Sequence, residues 1–399
     1  MKGPILACAV LAVALPVSYA SFPGSSSAVG RSELIGVAGL SSDPAFEDHW
    51  GYCFDPPPNL QRTQRVAHEQ PLYCYLLFMN YATDEEGVAW LEFDFEVTAP
   101  DGSSFASYES VEAWRGPSRP GRVLRSVATP LIAFDARDRL GTYTVEFVLT
   151  DRISGTTSRV RDTVELVEYA AGAGFANRAE VRDWIDGYYL DKDPARLIPA
   201  LVTASTFGRP GELADTPWIG FFQAGFAENR WLLPYLAAEH ATAEGDLRAA
   251  VAFLLAYLEA DDALMARTLT PDELDAARDA AARAWSIDER VGRPADIDVL
   301  WGSFLATGRV APIQYLVRVL GLDAERPGDD VLCAAAHGSL LSNARQHPLV
   351  RGYLETLTTM DGPPPQVTRT LEAILGELDA SSRAESSATG ASPPSANSR

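Results

Sequence analysis

The chain has 399 residues, 47% of them hydrophobic and 10% aromatic. This is a globular composition, and the length is enough for two domains. Its 33 basic residues stand against 54 acidic ones, a net charge of -21. Such a field repels phosphate backbones, so nucleic acid is excluded as a partner.

Residues 1–20 form a secretory signal pattern. Lys2 supplies the positive start, Ile5 to Val17 the apolar run, and Ser18-Tyr19-Ala20 the small residues before a cut at Ser21. The run is too short to span a bilayer, which takes about 20 apolar residues, and no later stretch is a membrane span. Ile5-Leu6-Ala7-Cys8 loosely matches a lipoprotein box. Cys8, however, precedes most of the apolar run, so lipid anchoring is the minor alternative to a periplasmic or secreted chain. Export places the remaining cysteines in an oxidising compartment, where Cys53 and Cys74 are plausible disulfide partners. Their loop would contribute about 3 kcal/mol in the chain-entropy picture.

Residues 21–45, rich in Ser and Gly, read as a flexible segment. From Phe46 to Gln70 the pattern is irregular and reads as an extended stretch pinned by Cys53. Residues 46–169 then read as a β-sandwich domain. Leu72 to Met79 is a nearly continuous apolar run, a buried strand. In Val88 to Thr98, Ala89, Leu91, Phe93, Phe95 and Val97 alternate with polar neighbours and Trp90, which predicts a strand with one face in the core. Pro100-Asp101-Gly102 makes a turn. Tyr143, Val145, Phe147 and Leu149 alternate again, and Asp151 to Gly155 turns the chain into Val160, Val164 and Leu166. Short alternating strands without intervening helices predict an antiparallel, Ig-like sandwich.

Residues 170–176 read as a linker, after which the period changes from two to 3.6. Asp193-Pro194 and Thr216-Pro217 each place a capping residue before Pro at a helix start. Thr270 and Glu273 make a capping box. Three amphipathic helices follow from Asp296 to Leu357. The first carries Ile297, Leu300, Trp301, Phe304 and Leu305; the second Ile313, Leu316, Val317 and Leu320. The third starts at Val331 and restarts at Pro348. The expectation for residues 177–379 is an all-α array of about ten helices with short loops, an irregular α-solenoid or a bundle. Residues 380–399 carry little to bury and read as a disordered tail.

No P-loop, G-x-S-x-G, H-E-x-x-H or G-x-G-x-x-G signature occurs, so no catalytic residue, cofactor or metal ligand is assigned. Cys333 and His337 share a helix face at i, i+4, but a buried thiol is the simpler reading. His347 before Pro348 reads as a helix-start residue. The acidic pairs Asp84-Glu85-Glu86, Asp261-Asp262 and Asp329-Asp330 fit loops and helix N-termini. Trp218, Phe221, Phe222, Phe226 and Trp231 are spaced for a helical core. Trp218, Phe221, Phe222 and Trp231 are also candidates to line a groove. Asn343 reads as a buried polar residue bonded to a neighbouring helix.

The turn at Pro100-Asp101-Gly102-Ser103 followed by Gly141–Val167 is similar to a sandwich domain of uncharacterised exported bacterial proteins. The stretches Asp298–Leu320 and Leu340–Glu355 resemble the helical half of such proteins. The resemblance implies a two-domain exported chain and carries no activity. The reading is a non-catalytic binding or scaffolding protein of the bacterial envelope, with a protein or peptide partner. The alternative is a hydrolase of envelope glycan or peptide, using carboxylates in a helical-domain cleft.

Overall fold

Alternating strands give way to amphipathic helices near residue 171, and the contacts divide at the same place. In a computed structural model of the chain, one unit ends at Ala171 and the other begins at Gly172. The structure describes residues 33–51, 60–119, 121–206, 217–285, 290–322, 326, 328–359 and 363–389. Residues 1–20, expected to be a signal, together with Cys8, Cys53 and the expected cap Thr216, lie outside these residues.

The first unit holds β1 (Ile35–Ser41), α1 (Ala45–Gly51), β2 (Arg65–Val66), β3 (Leu72–Met79), β4 (Val88–Thr98), β5 (Ser104–Pro117), β6 (Leu124–Arg125), β7 (Leu131–Ile132), β8 (Gly141–Asp151) and β9 (Thr157–Leu166). They make two sheets. One runs β1-β3-β6 with β7 also on β3; the other runs β2-β9-β8-β4-β5. All pairs are antiparallel except β2 with β9. The period-two residues Leu91, Phe93, Phe95 and Val97 of β4 meet Tyr143, Val145, Phe147 and Leu149 of β8 in one buried cluster. Leu72, Cys74, Leu76 and Phe78 of β3 join it from the other sheet. Alternation puts these side chains on one face by geometry alone.

Two expectations change here. The segment expected to be flexible up to residue 45 contains β1, paired along its whole length with β3 from Ile35↔Met79 to Ser41↔Tyr73. The stretch expected to be extended after Phe46 opens with α1, whose Phe46 ring packs 4.8 Å from Tyr75. That contact accounts for the apolar run of β3. Its inner face meets the core while Tyr75 on its outer face lies beneath α1.

The second unit holds α2 (Arg178–Gly187), α3 (Leu197–Thr206), α4 (Pro217–Glu228), α5 (Leu233–His240), α6 (Gly245–Tyr257), α7 (Asp262–Thr268), α8 (Pro271–Arg283), α9 (Pro294–Thr307), α10 (Val310–Val319), α11 (Asp329–Gln346), α12 (Pro348–Thr359) and α13 (Pro365–Thr389). Short 3-10 turns lie at Tyr188–Leu190, Pro194–Arg196 and Arg230–Leu232. The capping box Thr270/Glu273 forms as expected. Gly308 ends α9 in the left-handed conformation, φ 66°, with its N–H on the Phe304 carbonyl. Residues 380–389, expected to be disordered, continue α13 through Thr389, and the rest of that expected tail lies outside the described residues. Val367, Leu371, Ile374 and Leu378 bury its first half, and a formed helix extends through Ala, Glu and Arg at little cost.

α9 is the central helix. Ile297, Leu300, Trp301, Phe304 and Leu305 are all buried, each contributing roughly 1.5–3 kcal/mol by area. α4 crosses α9 with no room for a side chain at Gly220. A Cβ there would stand 2.8 Å from Val299 Cα and strike the Val299 carbonyl. Gly338 on the exposed face of α11 has nothing within 4 Å. Gly220→Ala is expected to destabilise by about 1–3 kcal/mol through overpacking. Gly338→Ala is expected to stabilise by up to about 1 kcal/mol through helix propensity. Urea unfolding of the two variants checks both signs.

Candidate functional site

The turn between α9 and α10 gathers a deeply buried ion pair of the helical unit. Lys192, past the 3-10 turn after α2, sends its ammonium to the Glu228 carboxylate (Nζ–Oε2 3.1 Å) and donates to the Thr307 carbonyl at 2.8 Å. Its side chain is 7% exposed and that of Glu228 11%. Arg309 Nε donates to the other Glu228 oxygen at 2.8 Å. Tyr353 on α12 donates to the Gly308 carbonyl at 2.8 Å. Glu228 ends α4 and Thr307 ends α9. Two negative helix ends and a carboxylate thus meet, an arrangement that needs a buried cation.

A second polar group sits at the elbow joining α11 to α12. His347 is buried, and Tyr189 O–H lies 3.2 Å from its Nδ1. The Tyr189 ring is 5.6 Å from the imidazole, and both rings pack on Phe304. Burial pushes the Tyr189 hydroxyl up to about 12. It holds the His347 ring below the usual histidine value, against the pull of Asp186. Desolvation raises the Asp186 carboxyl, against His347 and Arg182. Desolvation likewise raises Asp193 and Asp298.

A third cluster lies on α5, α6 and α8. His240 is buried, with Nε2 3.7 Å from Glu273 Oε1. Arg248 Nε donates to the same oxygen at 2.6 Å. That bond, with those from Thr270, lowers Glu273 to about 2. Burial and Arg248 lower His240. Among the described residues no group of three or more His, Cys, Asp and Glu could hold a metal ion, and no helix is long and apolar enough to cross a membrane.

Phe221, Phe222 and Phe226 are fully buried. Phe221 packs on Trp184, Tyr188 and Phe222. Trp231 is buried and donates to Asn229 at 3.2 Å. Trp218 is half-buried under the Arg178 guanidinium, 5.0 Å from its ring centre. Of the four groove candidates, Trp218 alone keeps substantial exposure. Cys74 is buried on β3, and its pairing with Cys53 stays an expectation. Cys333 Sγ donates to the Val319 carbonyl, and burial raises its thiol, the reverse of activation. Asn343 bonds to Ser339 on its own helix rather than across to a neighbour. The acidic pairs serve structure. Asp84 accepts from two backbone N–H groups of its turn. Asp261 caps α7, and Asp329 takes the Arg290 guanidinium on both oxygens.

Sequence reading passed over Tyr189, Asp186, Glu228 and Arg309. One signal did point here: the chain's two lysines are Lys2 and Lys192, so a basic position that holds Lys rather than Arg stands out.

No family model matches the chain, and no curated protein does. Solved structures give weak likenesses. One is a family 123 glycoside hydrolase from Clostridium perfringens, with 9% identity and TM-score 0.23, over 40% of this chain and 32% of that one. A second, named pT26-6p, has 14% identity and TM-score 0.15, over 76% and 49%. A third is the native conformation of E. coli alpha-2-macroglobulin, with 10% identity and TM-score 0.20, over 86% and 25%. The chain therefore spans less than half the length of each.

Removing the buried ammonium while keeping the stem, Lys192→Met, leaves Glu228 with Arg309 as its cation among the described residues. The expected cost is on the order of 3 kcal/mol, read as a lower urea midpoint with an unchanged slope. The paired change Lys192→Met with Glu228→Gln is expected to recover part of it.

Proposed function

We propose that the chain is an exported, non-catalytic binding or scaffolding protein of the bacterial envelope, and that the outer face of its five-stranded sheet meets a protein or peptide partner. One observation carries this reading. That face presents side chains already held in place across strands. Arg159 and Arg161 of β9 both bind Glu146 of β8. Arg152 Nε donates to Glu92 of β4 at 2.7 Å, and Arg115 of β5 stacks over the Trp90 ring at 4.8 Å. Arg and Trp are the residue types that anchor interfaces, and side chains ordered in advance lose less entropy on binding.

The finer fold reading belongs with this proposal. We read the first unit as an Ig-like sandwich. The order β2-β9-β8-β4-β5 beside β1-β3-β6 supports it, as does Tyr143 at the start of β8, whose O–H donates back to the Arg139 carbonyl at 3.0 Å. Such a tyrosine corner recurs in Ig sandwiches. The helical unit is read as an irregular solenoid or bundle. The neighbouring α11, α12 and α13, each packed on the other two, support this.

A tagged chain from Ser21 to Arg399 is expected to capture a partner from periplasmic extract. Arg159→Glu with Arg161→Glu is expected to lower that capture about tenfold, a loss of roughly 1.4 kcal/mol, while the melting curve shows the domain still folded. Equal capture by both baits, or none by either, overturns the reading. The export step has its own check. Chain made with its own first twenty residues in a bacterium is expected to start at Ser21 and to carry Cys53–Cys74 oxidised, leaving Cys333 as the single titratable thiol under denaturing, non-reducing conditions. A chain that starts at Met1 contradicts export.

The hydrolase reading has one observation in its favour: desolvation raises the carboxyls of Asp186, Asp193 and Asp298, as a general acid requires. Single Asp→Asn changes at the three positions test it. Peptidoglycan turnover that none of them lowers, or no turnover by the unaltered chain, removes it.

A further inference from the structure

We propose that His347 is a proton-operated latch that releases the α11–α12 elbow from the turn Tyr188–Leu190 as the medium becomes acidic. This goes beyond the partner reading and does not depend on it. His347 is the joint itself. Its N–H closes α11 on the Asn343 carbonyl, and its own carbonyl accepts from Val350 and Arg351 to start α12. Its side chain is what ties that joint to the turn, through Tyr189.

The latch takes the neutral tautomer in which Nδ1 accepts the Tyr189 O–H and Nε2 carries the proton. Once protonated, both ring nitrogens donate. The Tyr189 hydroxyl must then reverse to accept, and its own proton loses its partner in a buried site. The new charge finds little to offset it. The turn offers Tyr189 and α9 offers the uncharged Phe304 ring. On α12, Arg351 is engaged with Glu355 and Asp379, and on α11 Arg345 is exposed. α2 contributes Asp186, the charge that acts on the ring. Burial outweighs that pull and holds the closed-state ring below its ordinary value of 6.5. The closed elbow is therefore fully favoured above that value. It loses ground as pH falls from there toward the lower closed-state value.

Hydrogen exchange of the full chain between about pH 7.5 and pH 5.5 tests this. Protection factors, corrected for intrinsic exchange, are followed for residues 329–359. In the unaltered protein they are expected to fall with acid, by at most about tenfold per pH unit. In His347→Gln, whose amide still accepts from Tyr189, they are expected to stay flat. In Asp186→Asn the fall is expected to run deeper and to lower pH. Peptides around His240 on α5 serve as the control, with the same pH response in all three proteins. A fall in His347→Gln equal to that of the unaltered chain overturns the latch. If His347→Gln does not fold, the ring's own NMR titration decides: a midpoint below 6.5 supports the latch and one at or above 6.5 overturns it.

Discussion

A single buried ammonium sets the arrangement of the helical unit. Lys192 joins the end of α4 to the end of α9, where helix dipoles and the Glu228 carboxylate pile negative charge together. Without Lys192 the buried Glu228 carboxylate would be left with the more exposed Arg309 guanidinium and would lose one of its two partners, which the low local dielectric makes costly. About two turns back along both helices, α4 and α9 also pack closely, at Gly220 against Val299. The ion pair and the glycine contact constrain one another. The glycine lets the two helix axes approach, and the charges fix how far one helix slides along the other. Van der Waals packing of Phe304, Trp301 and their neighbours then follows from that register. Packing alone is forgiving of slippage, whereas a bond to one particular carbonyl is not.

The β unit solves a different electrostatic problem. Flat pairing places Glu96 opposite Glu146 and Glu92 opposite Glu112 on the outer face, and like charges at that distance repel. Arg159 and Arg161 on Glu146 and Arg152 on Glu92 offset the repulsion. The same pairs that let the sheet tolerate its own acidic ladder also order the arginines that the proposed interface uses. Inside the unit, Asp151 performs the equivalent task with backbone. Fully buried, it accepts from the N–H groups of Ala82, Ile153 and Ser154. It thereby pins the β8–β9 turn to the chain just ahead of β4.

What the sequence made legible is what repeats locally. Strands β4, β8 and β9 declare themselves by period two, and α9, α10 and α12 by period 3.6, because burial of one face is written into each element's own residues. β1 escapes this test. Its exposed Ile35 and Val37 alternate with Gly36, Ala38 and Gly39, so no apolar face shows, and its two glycines carry no β preference. It is a strand because β3 lies beside it. The polar nodes escape for the same reason on a longer scale. Lys192 finds Glu228 36 residues away and Thr307 115 residues away, and Tyr189 finds His347 across 158. No window of sequence holds both partners. What sequence does hold is the odd choice: a lysine where arginine is the rule, and a histidine directly before a proline.

That pattern separates structural from responsive polar groups. The pair at Lys192 joins an ammonium to a carboxylate and a helix-end carbonyl, and so fixes the register of α4 against α9. His347 occupies a comparable place, at a joint between helices, but with the one side chain whose ordinary value lies near neutrality. Were the elbow required only to be rigid, the hydrogen bond to Tyr189 could be made by a glutamine of similar reach. A histidine there couples the same bond to proton concentration, because the acceptor nitrogen is lost when the ring takes a proton. The two joints differ in chemistry and not in packing, and that difference makes one of them a fastening and the other a switch.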